Sequence, residues 1–187
     1  DYEQDVKVCT DVLKLEGVIL YPTDTIWGIG CDATCETAIQ KIFAIKHREP
    51  QKSVVLLMTD VKQLSNYIAS SIPDLETWLT QFTEPTTVVY PNAINLPKQV
   101  LAEDGSVAVR MTKDPFCRSL IKRFRKPIVS TSANISGEPS PIHFHLISPN
   151  ILREVDYVVH HRQHDITTRP ESRIVKMMPD GTYTVLR

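Results

Sequence analysis

A chain of 187 residues that is 42% hydrophobic carries enough apolar side chains for one substantial core, and residues 1–187 read as a single domain. Its formal net charge of −1 excludes a protein whose whole surface embraces nucleic acid, so any anion must be held by local basic patches. No apolar run approaches the roughly 18 residues that span a bilayer, and Asp1-Tyr2-Glu3-Gln4-Asp5 lacks the basic-then-apolar order of a secretion signal. With Cys9, Cys31, Cys35 and Cys117 scattered and read as reduced thiols, the expectation is a cytoplasmic protein with no membrane partner.

In chain order, Val6, Cys9, Val12 and Leu13 have helical spacing over Tyr2 to Glu16, with Gly17 placed to cap the C-terminus. An apolar strand, Val18 to Tyr21, runs into Tyr21-Pro22-Thr23-Asp24-Thr25-Ile26-Trp27-Gly28-Ile29-Gly30-Cys31-Asp32-Ala33, read as hydroxyls and tight glycine turns after a strand. Ile39, Ile42 and Phe43 predict a helix that delivers Lys46-His47-Arg48 before a strand from Ser53 to Met58. Short helices follow around Val61 to Ile68 and, after Pro73-Asp74, around Leu75 to Phe82. Strands are expected at Thr86 to Tyr90 and Ser106 to Met111, then a helix through Phe116, Leu120, Ile121 and Phe124 and a strand from Pro127 to Thr131. Beyond the loop-rich Ser136 to Pro149, the tail from Tyr157 reads as mostly strand, closing in a hairpin at Pro179-Asp180-Gly181. The fold class is α/β, with strands that do not strictly alternate with helices.

Several chemistries are set aside on pattern. Gly28-Ile29-Gly30-Cys31-Asp32-Ala33 loosely fits a dinucleotide fingerprint, but Pro22 to Trp27 intervenes where glycine should follow the strand. No G-x-x-x-x-G-K-[ST] loop exists, and no G-x-S-x-G elbow surrounds Ser130 or Ser132. His143, His145, His160, His161 and His164 have no paired cysteine spacing, so no protein metal site is expected. Arg118 to Lys126 reads as the solvated side of an amphipathic helix. Lys46, Arg48 and Lys52 instead crowd one short loop with few acids, which suits an anionic ligand, although a plain surface loop has the same composition. Ser130-Thr131-Ser132-Ala133-Asn134 puts alternate hydroxyls on one strand face: either a row facing a ligand or the start of a turn.

These segments together, with Ile45-Lys46-His47-Arg48, Ser106-Val107-Ala108-Val109-Arg110-Met111 and Ser130-Thr131-Ser132-Ala133-Asn134-Ile135-Ser136-Gly137-Glu138-Pro139 in order, resemble the YrdC-like family, the threonylcarbamoyl-AMP synthases. The resemblance implies a twisted, mostly mixed sheet with flanking helices around a basic cavity. It implies an enzyme, a nucleotidyltransferase that joins L-threonine, bicarbonate and ATP into threonylcarbamoyl-adenylate and pyrophosphate for tRNA N6-threonylcarbamoyladenosine modification. Magnesium would be carried on ATP, with no organic cofactor. Expected partners are tRNA or double-stranded RNA and downstream tRNA-modification proteins. The alternative is a non-catalytic nucleotide- or RNA-binding module of the same fold. Since the chain stops at Arg187, it is expected to lack the further domain of longer members.

Carried over by position, the resemblance assigns Lys46 and Arg48 to catalysis, and Arg48, Lys52, Ser106, Ser132, Asn134, Ser140 and Arg187 to ATP. It assigns Thr25, Arg110, Ser130 and Ser172 to threonine. This chain departs from the family pattern at Thr83-Glu84-Pro85-Thr86-Thr87, Ser53, Leu57 and Arg173.

Overall fold

The computed structural model describes residues 1–48 and 54–187. Helix α1 (Glu3–Lys14) buries Val6, Cys9 and Leu13, and its charges oppose its dipole, with Glu3 and Asp5 in the first turn and Lys14 in the last. The expected glycine cap is displaced by one residue: Glu16 takes the left-handed conformation, at φ 62°. Gly17 is needed for closeness instead. Its N–H donates to Val12 O at 2.9 Å, and a Cβ there would lie 2.5 Å from Val12 Cγ1.

Strand β1 (Ile19–Tyr21) pairs antiparallel with β2 (Gly28–Gly30). The glycines read as tight turns are therefore strand residues. A Cβ on Gly30 would stand 2.5 Å from both Tyr21 Cε1 and Val129 O. The bare backbone lets the buried Tyr21 ring cross β2 and donate its hydroxyl to Val129 O at 2.9 Å.

Helix α2 (Glu36–Lys46) ends at His47, left-handed at φ 51°, which returns the Arg48 N–H to Phe43 O at 2.9 Å. Strand β3 (Val55–Met58) follows, then α3 (Val61–Leu64), α4 (Leu75–Leu79), β4 (Thr86–Tyr90) and β5 (Val107–Met111). The helix expected to reach Ile68 stops at Leu64; Ile68 bridges to Ala93 instead. Helix α5 (Pro115–Phe124) is N-capped by Asp114, which accepts from Cys117 N at 2.9 Å, and buries Phe116, Leu120, Ile121 and Phe124. Its first arginine is not simply solvated, because Arg118 Nη1 donates to Thr59 O at 3.0 Å. After β6 (Ile128–Ser132) comes a helix the sequence reading did not anticipate, α6 (Pro149–Glu154), started by Ser148 and Pro149. The tail is strand only at β7 (Tyr157–Val158), β8 (Arg173–Met177) and β9 (Tyr183–Val185), and the last two form the anticipated hairpin.

Among the described residues these strands form one nine-stranded mixed sheet in the order β7-β1-β2-β6-β3-β5-β4-β8-β9. One row runs straight across its centre: Ser130 is opposite Val55, Val55 opposite Ala108, Ala108 opposite Val89, and Val89 opposite Lys176. Strands from distant parts of the sequence thus present their side chains on one continuous surface. Helix α1 packs on α5, and α5 on β3. No helix among the described residues is long and apolar enough to cross a membrane.

Candidate active site

The row just described floors a cavity of about 570 Å³. Thr25, Arg48, Ser106, Arg110, Ser130, Ser132, Ser172 and Arg187, each singled out in the sequence, line it. Ser106 and Arg110 are four residues apart in nearly extended chain, about 13 Å, which gives the cavity two ends. At the Arg110 end, Thr87 lies opposite Arg110 in the sheet and shares a hydrogen bond of 2.8 Å with the Ser172 hydroxyl. At the Ser106 end, Asp104 accepts from the Ser106 hydroxyl at 2.6 Å and from its N–H at 3.0 Å. Those two bonds hold the Asp104 carboxyl below the usual carboxylate range.

The loop between β1 and β2 is fixed by its own hydroxyls. Thr23 Oγ1 accepts from Thr25 N at 3.0 Å and donates to Ile26 O at 2.7 Å, so Thr25 is delivered to the cavity wall in a set orientation. Trp27, also on the wall, is backed by Phe144 with ring centroids 4.8 Å apart.

Lys46 lies behind the wall. Only 2% exposed, it directs Nζ at Ser132 O (2.5 Å), Asn134 Oδ1 (2.7 Å) and Asn134 O (3.0 Å), with Ser132 Oγ at 3.3 Å. The Ser132 hydroxyl donates to Asn134 Oδ1 at 2.6 Å, and Ser136 N donates to Lys46 O at 2.8 Å. The end of α2 and the turn after β6 are therefore tied into one knot whose outward face is Ser132. Burial pushes the Lys46 ammonium down to about 7, and nearby Arg48 adds to the effect. Burial also lowers the Arg48 guanidinium, whose Nη1 donates to Thr131 Oγ1 at 3.1 Å.

Asn134 likewise belongs to this knot and not to the wall, while Ser140 reaches Glu171 Oε1 at 3.5 Å. Glu171 Oε2 pairs with Arg187 Nη1 at 3.4 Å, and Arg187 Nη2 donates to Ser172 O at 2.8 Å, so loop 136–149 and the C-terminal strand meet at the rim. Lys52 lies outside the described residues.

Three charged lining residues escaped the sequence reading: Asp104, Glu171 and Lys176. Lys176 was signalled by alternation, since Ser172, Ile174 and Lys176 share a strand face. Asp104-Gly105-Ser106 carries a turn signature that aims the carboxylate at the serine two residues on. The described wall thus carries Arg48, Arg110, Lys176 and Arg187 against Asp104 and Glu171, cations in excess but interspersed with carboxylates. Such a wall can hold phosphates at its cations while its hydroxyls and carboxylates receive hydrogen-bond donors.

A family model for Sua5, YciO and YrdC proteins, described as telomere recombination, matches residues 11–187. The chain is 41% identical over 129 residues to a threonylcarbamoyl-AMP synthase of Psychromonas ingrahamii, covering 67% of this chain and 68% of that one. To the Escherichia coli threonylcarbamoyl-AMP synthase it is 36% identical over 137 residues, 72% of each chain. The fold matches P. abyssi Sua5, crystallised with L-threonine, at a TM-score of 0.85 and 24% identity over 99% of this chain. This chain spans about half of that longer protein, 54% of its length.

Proposed function

The chain belongs to the Sua5, YciO and YrdC family, and on that premise we propose that it is a threonylcarbamoyl-AMP synthase, making L-threonylcarbamoyladenylate and pyrophosphate from L-threonine, bicarbonate and ATP. The observation that carries this reading is the convergence of Thr25, Ser130, Arg110 and Ser172 with Arg48, Ser106, Ser132 and Arg187 on one cavity with two distinct ends.

Threonine is assigned to the Arg110 end, where a guanidinium suits its carboxylate and Thr25, Ser130 and Ser172 offer hydroxyls. ATP is assigned to the end bearing Ser106 and Ser132. Because the Ser106 hydroxyl donates to Asp104, it meets the nucleotide as an acceptor, which suits the ribose or base better than a phosphate. Arg48, with Lys176 and Arg187, supplies charge for the triphosphate. Lys46 acts on that end by holding Ser132 and Asn134. Magnesium enters on ATP as part of the substrate, and no organic cofactor is required.

In the reaction, the unprotonated amine of threonine and bicarbonate give a carbamate and water. A carbamate oxygen attacks the α-phosphorus in line, the bond to the β-phosphate oxygen breaks, and pyrophosphate leaves. Charge neutralisation and alignment perform most of this chemistry, in keeping with a wall of Arg, Lys, Ser and Thr. The adenylate would then serve tRNA modification in the cytoplasm, delivered to tRNA through downstream proteins.

The test is pyrophosphate release with ATP, bicarbonate and each amino acid in turn. Release that requires both threonine and bicarbonate is expected. Salt-sensitive RNA binding without threonine-dependent turnover would favour the non-catalytic module instead.

A further inference from the structure

Asp24 stands beside the cavity and has no part in the assignments above. Its Oδ1 accepts from Arg110 Nε at 3.2 Å and lies 3.1 Å from Arg110 Nη2. Both side chains are withdrawn from solvent, Arg110 at 5% exposure and Asp24 at 14%. We propose that Asp24 is the positioning residue that turns Arg110 toward the carboxylate of the amino-acid substrate, an inference that rests on the assignment of threonine to the Arg110 end.

Geometry supplies the argument. An arginine offers two bidentate edges, one through Nε and Nη2 and one across Nη1 and Nη2. Asp24 takes the Nε–H of the first, while Nη2, buried and without a hydrogen bond although Asp24 Oδ1 lies 3.1 Å away, remains with Nη1 for a ligand carboxylate approaching end-on. Asp24 also approaches from behind. It lines a separate cavity of about 270 Å³ with Val109 and Met111, whereas Arg110 and Ala108 line the main one. A carboxylate placed there orients and partly neutralises the guanidinium without standing where the substrate carboxylate must go. Removing it would leave a buried cation on a flexible stem without the one hydrogen bond its side chain makes among the described residues.

The backbone of Asp24 is held as firmly as its side chain. It sits between Thr23 and Thr25, whose hydroxyl oxygens are 3.2 Å apart, and the Thr23 hydroxyl accepts the Thr25 N–H. One short loop therefore sets Thr25 directly and Arg110 through Asp24.

The experiment titrates the full chain with L-threonine and, separately, with ATP by calorimetry, in the wild type, Asp24→Asn, Asp24→Ala and Arg110→Ala. Asp24→Asn keeps an acceptor at the same place and should weaken threonine about 5–10-fold. Asp24→Ala should weaken it about 30–100-fold, and ATP affinity should be unchanged in both. In steady state the same ordering should appear in KM for threonine, with KM for ATP unmoved, a split that general loosening of the fold would not produce. The inference is overturned if Asp24→Asn binds threonine as tightly as the wild type while Arg110→Ala does not. Should Arg110→Ala itself bind threonine normally, the assignment of that end fails and the inference falls with it. Equal loss of threonine and ATP binding in Asp24→Asn would also overturn it, by assigning Asp24 to the fold alone.

Discussion

Replacing Lys46 by Met separates two opposed effects that the structure places on one atom. The methionine stem fills similar space but leaves Asn134 O without the Lys46 donor, while Ser132 O keeps the Asn134 N–H at 2.9 Å and Asn134 Oδ1 keeps the Ser132 hydroxyl. One half-buried carbonyl stripped of its partner costs about 1–3 kcal/mol. Against this, the ammonium itself is buried at a cost, seen in its descent from 10.5 to about 7. Because the folded pKa lies below the unfolded one, the unfolded chain binds more protons between about pH 7 and 10.5, so the wild type gains stability as pH rises through that window. The gain is on the order of 1 kcal/mol per pH unit. The wild type should therefore exceed Lys46→Met by about 1–3 kcal/mol near pH 10, a gap that closes and then changes sign as the pH falls toward 7. Urea unfolding followed by tryptophan fluorescence at pH 7, 8 and 9 measures it, and taking the difference between the two proteins cancels the other titrating groups. A gap that does not change with pH would refute the reasoning, since Nζ would then hold the same charge folded and unfolded.

Other consequences follow from single contacts. Gly30→Ala must displace both the Tyr21 ring and the β6 backbone, each 2.5 Å from the new Cβ, and should cost about 1–3 kcal/mol, read as a lowered melting temperature. Asp114→Ala removes both the cap on Cys117 N and the partner of Arg162 Nη1 at 2.8 Å. A loss of about 2–4 kcal/mol is expected, with Asp114→Asn losing distinctly less in the same denaturant titration. Burial pushes the thiols of Cys9, Cys31 and Cys117 up, whereas Cys35 is only half-buried. Alkylation of the native protein at pH 8 should label Cys35 alone, and mass spectrometry finding early label on Cys117 would contradict the packing.

The strands and long helices could be read from the sequence because their signals are local. The stripe of Phe116, Leu120, Ile121 and Phe124 specifies its helix, and Ser106 to Met111 alternates as a strand whose polar members, Ser106 and Arg110, face the site. Gly28 and Gly30 misled because glycine also signals a turn. What actually demands it is the Tyr21 ring and Val129, the latter far away in sequence. Lys46 was legible as important but not as buried. Its direction depends on the left-handed turn at His47 and on a β6 carbonyl row that local pattern does not encode. Asp104 has a local signal only in its turn with Ser106, and Glu171 has none. Their role emerges only once Ser106 and Arg187 are seen to be their partners.

The central claim is that one cavity takes nucleotide at its Ser106 and Ser132 end and threonine at its Arg110 end. A crystal grown with a non-hydrolysable ATP analogue and L-threonine tests it most directly. The threonine carboxylate should sit end-on to Arg110, with the triphosphate directed toward Arg48 and the ribose or base within reach of Ser106. Nucleotide bound outside this cavity, or threonine away from Arg110, would contradict the account.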